Sequence, residues 1–251
     1  MRLKVIEPII GPWNWDQALE ILKTCVNPDV KLELEKIEFG PSSIESDFDL
    51  AYAAPFILQK VEKAKEEKVD GIFIDCFGDP AVKAAREITD IPVVGAFQPA
   101  MAFASLLGQR IGIVTILSSL IPNLYRMARE HGFEQYLASI RSIELPVLEI
   151  EGNPQVAGLA SQECLLGIKE EKADVFVLGC TGMAGLASEV QKQLRSQGYD
   201  VPVIDPAFAA LQALQACVRM QLKQSKISFP YPPQKKRTFP FNPEYSEGPH
   251  P

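Results

Sequence analysis

Gly71-Ile72-Phe73-Ile74-Asp75-Cys76 and Asp174-Val175-Phe176-Val177-Leu178-Gly179-Cys180 are two versions of one phrase. Each is a short run of β-branched and aromatic residues ending in a cysteine, the composition of a strand buried on both faces. Each follows an amphipathic stretch that ends in charge, Glu66-Glu67-Lys68 and Glu170-Glu171-Lys172. Each leads through a turn and a helical stretch to a strand opening on Pro-Val: Pro92-Val93-Val94-Gly95 and Pro202-Val203-Ile204-Asp205. The order of elements repeats more faithfully than the residues themselves. Such an internal duplication predicts an α/β fold of two pseudo-symmetric lobes, each a mainly parallel sheet flanked by helices. Both cysteines then fall at the carboxyl end of a parallel strand, where open α/β sheets bind ligands.

Outward from these runs the alternation continues. Residues 2–6, 31–37 and 110–117 read as strands, and 16–25, 50–68, 81–89, 100–107 and 120–130 as helices. Ser42-Ser43-Ile44-Glu45 has the capping-box form and is expected to open the long helix. Residues 1–95 with about 206–225 are expected to form the first lobe, and 96–205 the second. The tail, 226–251, holds a cluster of prolines that exclude helix and central strand. It reads as an extended surface appendage, or as an arm docking on a neighbouring subunit through Phe229, Tyr231, Phe239 and Phe241.

Composition narrows the function. A chain of 251 residues that is 47% hydrophobic and 23% charged is not wholly disordered. A net charge of -7 argues against nucleic acid as a partner, which requires clustered Lys and Arg. The longest apolar runs fall well short of the ~18 residues of a membrane span. The opening, Met1 to Glu7, reaches an acid before any signal-peptide core develops, so a cytoplasmic location is expected. Five scattered cysteines without a CxxC pair, and only two histidines, argue against a disulfide framework and against a metal site.

The chemistry therefore rests on Cys76 and Cys180 as reduced thiols. A thiol between a strand end and a helix start is expected to have a lowered pKa. Two such thiols facing each other can move protons without a histidine base: one removes a proton from carbon and the other returns one to the opposite face. His131, at an apparent helix end before Gly132, reads as a structural cation. Cys25, Cys164 and Cys217 read as packing residues. Asp79 before Pro80 and Asp205 before Pro206 read as caps of the helices that follow them.

The pieces Gly40-Pro41-Ser42-Ser43-Ile44-Glu45, Cys76-Phe77-Gly78-Asp79-Pro80, Pro92-Val93-Val94-Gly95, Gly179-Cys180-Thr181-Gly182-Met183 and Pro202-Val203-Ile204-Asp205 carry a further signal. Together they resemble the aspartate/glutamate/hydantoin racemase superfamily, most closely its hydantoin racemase branch, over about residues 2–220. The resemblance implies an active site between the lobes, racemisation without a cofactor, and Cys76 and Cys180 as the acid/base pair. The implied substrate is a small molecule, a 5-substituted hydantoin or related cyclic ureide, and a homo-oligomer is expected. Pro8, Ile9, Phe77, Gly78, Thr115, Thr181 and Gly182 are the candidate substrate-binding residues, several of them through backbone N–H groups. One departure stands out: many hydantoin racemases read Asn-Pro-Asn after the first strand, and this chain has Glu7-Pro8-Ile9. Two alternatives stay open. One is racemisation of aspartate or glutamate, or maleate-type isomerisation, although neither cysteine motif has an Arg or Lys beside it to clamp a carboxylate. The other is a binding protein that kept the fold and lost turnover.

Overall fold

A computed structural model describes residues 1–235; the expectations for Phe239 and Phe241 lie outside the described residues. Strand β1 (Arg2–Glu7) pairs with β2 (Lys31–Lys36) and β3 (Gly71–Ile74), and β3 pairs with β4 (Val93–Val94). All pairings are parallel, in the order β2-β1-β3-β4. Strands β5 (Ile111–Thr115), β6 (Leu137–Ser142), β7 (Val175–Leu178) and β8 (Val203–Ile204) form a second parallel sheet, β6-β5-β7-β8. The two sheets have one topology. The duplicated runs β3 and β7 are buried at every residue, as strands covered on both faces must be.

Helices α1 (Trp15–Lys23), α2 (Asp47–Glu66) and α3 (Val82–Ile88) belong to the first half. Helices α5 (Ile121–Glu130), α6 (Val156–Glu171) and α7 (Ala187–Ser196) belong to the second. The remaining two cross over. Helix α4 (Phe97–Leu107) leaves the first sheet and packs on β7 of the second, while α8 (Pro206–Arg219) returns from the second and packs on β3 and β4. The two helices also pack on each other. One apolar cluster runs through this pair into both sheets, joining Phe73, Phe97, Met101, Ile113, Val177 and Leu214.

Helix α2 starts three residues before Leu50, and its cap lies one turn beyond the Ser42 that the sequence suggests. Its N-cap is Ser46, whose hydroxyl accepts from Asp49 N at 3.1 Å, while the Asp49 carboxylate accepts from Glu45 N at 3.0 Å. The same spacing of Ser and acid occurs at 42–45 and 46–49, and the second copy caps the helix. Glu45, released from capping, accepts the Val147 N–H of the other lobe at 2.8 Å.

Residues 222–235 lie against the first lobe. Gln224 completes the edge of β4, accepting from Val93 N at 3.1 Å and donating to Val93 O at 3.0 Å. The Lys226 ammonium donates to the carbonyls of Arg86, Glu87 and Thr89 at 2.8, 3.3 and 2.8 Å, closing the C-terminus of α3. Phe229 lies under the Arg86 guanidinium and Tyr231 under Lys226, at 5.4 and 4.1 Å. These two aromatics each carry a cation of their own lobe, and Tyr231 stays half exposed. Among the described residues no helix is long and apolar enough to cross a membrane.

Lys226→Ala should cost about 1–2 kcal/mol, since one ammonium serves three carbonyls. At this chain length that is a fall in Tm of roughly 2–6 °C by thermal denaturation.

Candidate active site

Both cysteines stand at equivalent steps beyond a central strand. Asp75 N donates to Ile6 O at 2.9 Å, and Gly179 N to Val114 O at 2.7 Å, so each sheet pairs one residue further before the cysteine turns away. The turns then close on themselves, Asp79 N to Cys76 O and Met183 N to Cys180 O, each at 3.1 Å. The two strand ends open onto a single cavity of about 340 Å³. Cys76 and Cys180 line it, as do Pro8, Ile9, Phe77, Gly78, Thr115, Thr181 and Gly182.

These residues contribute in different ways. The Phe77 side chain is buried against Phe97, with ring centroids 5.2 Å apart. Thr115 is fully buried, and its hydroxyl donates to Gly179 O at 3.3 Å, tying β5 to β7. The Thr181 hydroxyl reaches across the cleft to Asp75 O at 3.4 Å. The Gly78 N–H points at the Cys76 sulfur, and the Gly182 and Met183 N–H groups at that of Cys180.

The expectation of acidified thiols is overturned. Burial pushes Cys76 well above the usual thiol range and Cys180 up to about 12. Helix dipoles do not offset it, because no helix starts at either sulfur. After Cys180 comes a single 3-10 turn, Thr181–Met183, and α7 begins only at Ala187. After Cys76, α3 waits until Val82, behind a left-handed Ala81 with no side-chain cap. Desolvation of the charged form therefore wins over a few turn N–H groups. The Cys180 charge is also among the influences that lift Cys76. Burial thus favours the neutral form of both thiols, and a charge on Cys180 opposes one on Cys76.

The carboxylates behind the cysteine turns act as knots. Asp79 does not cap α3, as its position before Pro80 suggests. Its Oδ1 accepts from Ala96 N and Phe97 N at 2.7 and 3.1 Å, capping the start of α4. Asp205 caps α8 through Ala207 N and Phe208 N at 3.1 and 3.2 Å, and its Oδ2 accepts from Gly185 N at 2.6 Å. Each carboxylate thus ties a cysteine loop to the crossover helix of its lobe. In one lobe the acid is on the loop, in the other on the strand end. Gly95, which follows β4 where Asp205 follows β8, has no side chain, and a Cβ there would fall on the Asp79 carboxyl. His131 is the C-cap of α5, but burial lowers its pKa, so it serves as a neutral ring packed 5.8 Å from Phe97 and not as a cation.

The cavity walls were not evident from the sequence. Trp13, Trp15, Ile44, Leu50, Leu124 and Ile150 give it broad apolar sides. The signal that could have found two of them is Trp13-Asn14-Trp15, a pair of aromatics in a loop just past the first strand end. Loops from the two halves are latched over the cavity: Asn14 N donates to Glu151 at 2.6 Å, alongside the Glu45–Val147 bond. No Lys, Arg or His is among the described residues lining the cavity. Among the described residues no group of three His, Cys, Asp or Glu is placed to hold a metal ion.

Comparison with known proteins gives the chain its family. A family model described as Asp/Glu/Hydantoin racemase covers residues 16–214. The chain belongs to that family. A hydantoin racemase of Pseudomonas sp. (strain NS671) is 32% identical over 238 residues, 94% of each chain. One from Rhizobium meliloti is 34% identical, over 92% of this chain and 95% of the relative. The structure of an allantoin racemase from Klebsiella pneumoniae superposes with a TM-score of 0.89 at 32% identity, covering 96% of this chain and 97% of that one. The family resemblance read from the cysteine motifs is borne out, and the protein is an isomerase of the racemase type.

The knots imply a sensitive glycine in this racemase. Gly95→Ala should drive the Asp79 carboxyl off its two N–H donors at a cost of about 2–3 kcal/mol. Urea denaturation should show a lowered midpoint, and activity should fall with it because the Cys76 loop loses its tether.

Proposed function

We propose that the protein racemises a 5-substituted hydantoin or related cyclic ureide by proton transfer between Cys76 and Cys180. One sulfur, as thiolate, takes the hydrogen from the ring carbon beside the carbonyl. The other, as thiol, donates to the opposite face of the planar carbanion. The single observation that carries this reading is that the two sulfurs share one cavity, near enough for the Cys180 charge to raise Cys76. Their mutual repulsion favours the state the scheme requires, one S⁻ and one S–H, over two thiolates. The Gly78, Gly182 and Met183 N–H groups, already directed at the sulfurs, favour the charged form when it arises.

The substrate class is supported by what lines the cavity. Aspartate, glutamate or maleate would bring carboxylates to a site whose described lining holds no cation and does hold Glu7 and Asp75. A neutral ring avoids that conflict, and the hydantoin and allantoin racemases among the relatives act on such rings by their names. The hydrogen beside both a carbonyl and a ring nitrogen is more acidic than that of a free amino acid, within reach of a thiolate. Trp13, Trp15, Leu50 and Leu124 favour a bulky apolar 5-substituent. Reduced thiols suit a cytoplasmic enzyme, and the cysteines are unpaired.

Cys76→Ala and Cys180→Ala should each abolish racemisation, with each variant exchanging solvent deuterium into at most one enantiomer. Mass spectrometry of both enantiomers in D₂O reads this directly, and full racemisation by either variant would eliminate the two-base scheme. Because both thiols are raised, the ionised fraction at neutral pH is small and grows about tenfold per pH unit below the pKa. The logarithm of kcat/KM should therefore climb with a slope near one between about pH 7 and 8.5; a level profile would contradict a thiolate base.

A further inference from the structure

The two sheets repeat each other strand for strand, so a position inside the cavity where they disagree is informative. One step beyond the pairs Ile6↔Ile74 and Val114↔Leu178 stand Glu7 and Asp75 in the first lobe, Thr115 and Gly179 in the second. In the second lobe the pair is satisfied within itself, since the Thr115 hydroxyl donates to Gly179 O. There is also no room for a side chain at 179: a Cβ would stand 3.0 Å from Thr115 Cα and Cβ. In the first lobe the same two places hold carboxyl groups, and both line the cavity.

Glu7 is 7% exposed, and its carboxyl is hydrogen-bonded to that of Asp75. Asp75 Oδ1 is buried and has no N–H or hydroxyl donor. A proton shared between the two acids is the group that can satisfy it. Burial and the neighbouring charge raise Glu7 well above the carboxylate range, and burial lifts Asp75 to about 6. The Thr181 hydroxyl relieves part of the charge by donating to the Asp75 carboxyl, but the ionisable groups that act on the pair and on the sulfurs are Asp205, Asp79, Glu45 and the cysteines themselves, none of them a cation. Two carboxyls held this close favour sharing one proton over carrying two charges. Such a pair offers a donor and acceptors side by side, close to both sulfurs.

We propose that Glu7 and Asp75 form the substrate-selecting edge of the cavity, accepting an amide-type N–H of a neutral ring and turning away molecules with a free carboxylate. The inference rests on the racemase reading above and narrows its substrate class. An acid pair of this kind can match the alternating N–H and C=O edge of a cyclic ureide. Opening the ring by hydrolysis creates a carboxylate and so turns a ligand into a repelled ion. The edge would thereby separate a ureide from its own ring-opened acid.

Calorimetric titration with 5-benzylhydantoin and with its ring-opened N-carbamoyl acid tests this. The wild-type protein should bind the hydantoin and strongly disfavour the acid. Glu7→Ala should weaken hydantoin binding about tenfold through loss of one hydrogen bond, and Glu7→Gln, which restores a donor, should recover most of that loss. The isosteric double variant Glu7→Gln/Asp75→Asn removes the charge and should narrow the acid-to-hydantoin affinity ratio by at least about tenfold. A ratio that stays within about twofold of wild type would overturn the proposal. Deuterium exchange into the hydantoin by the wild-type enzyme separates the two levels. Absence of exchange and binding sinks the parent reading, whereas exchange with an unmoved ratio sinks only the selecting edge.

Discussion

The packing of α4 against α8, sealed between two parallel sheets, is the constraint on which the rest of this molecule depends. Each helix leaves one lobe and beds on the other, and Ala100, Ala104, Ala207 and Ala210 keep the contact small and close. One continuous apolar core therefore includes Leu3 and Phe73 from one sheet and Ile111 and Val175 from the other. Such interiors are close-packed and barely compressible, so the carboxyl ends of β3 and β7 are fixed relative to each other. The placement of the two sulfurs follows from that fixation. Asp79 and Asp205 extend it, tying each cysteine turn to the helix that crosses over.

Pseudo-symmetry supplies a pair of matched thiols, and its local failures supply the rest. An enzyme that moves a proton between the two faces of a carbon benefits from two matched sulfurs. It must also hold a substrate that is not itself symmetric. The substitution of Glu7 and Asp75 for the Thr115 and Gly179 of the other lobe breaks the match close to the sulfurs. The knots break it too, with the acid moved from strand end to loop and Gly95 left bare to receive it.

Much of the fold was legible because it is written locally. A run such as Gly71 to Ile74, bounded by charge and by a turn, has few readings other than a buried parallel strand, and its repetition at Val175 to Leu178 fixed the two-lobe architecture. The cysteines were legible for the same reason: each ends such a run. What failed was whatever depends on partners remote in the chain. Asp79 looks like the cap of α3 and caps α4, because the choice is made by where α4 begins in space. Ser42 and Ser46 both precede an acid at the same spacing, and only the path of the chain decides between them. The thiol pKa was misjudged because the sequence places a helix near each sulfur but cannot show the gap before it or the depth of burial. The apolar walls around Ile44, Leu124 and Ile150 come from loops of both halves and have no local signature.

The burial of the two sulfurs has a consequence for the resting protein. Peroxide and soft electrophiles attack thiolates, and a sulfur that keeps its hydrogen is a slow target for either. A cavity wall that withholds charge from Cys76 and Cys180 thus guards them from sulfenylation and alkylation. The enzyme carries two nucleophiles through an oxygenated world in a chemically dormant form.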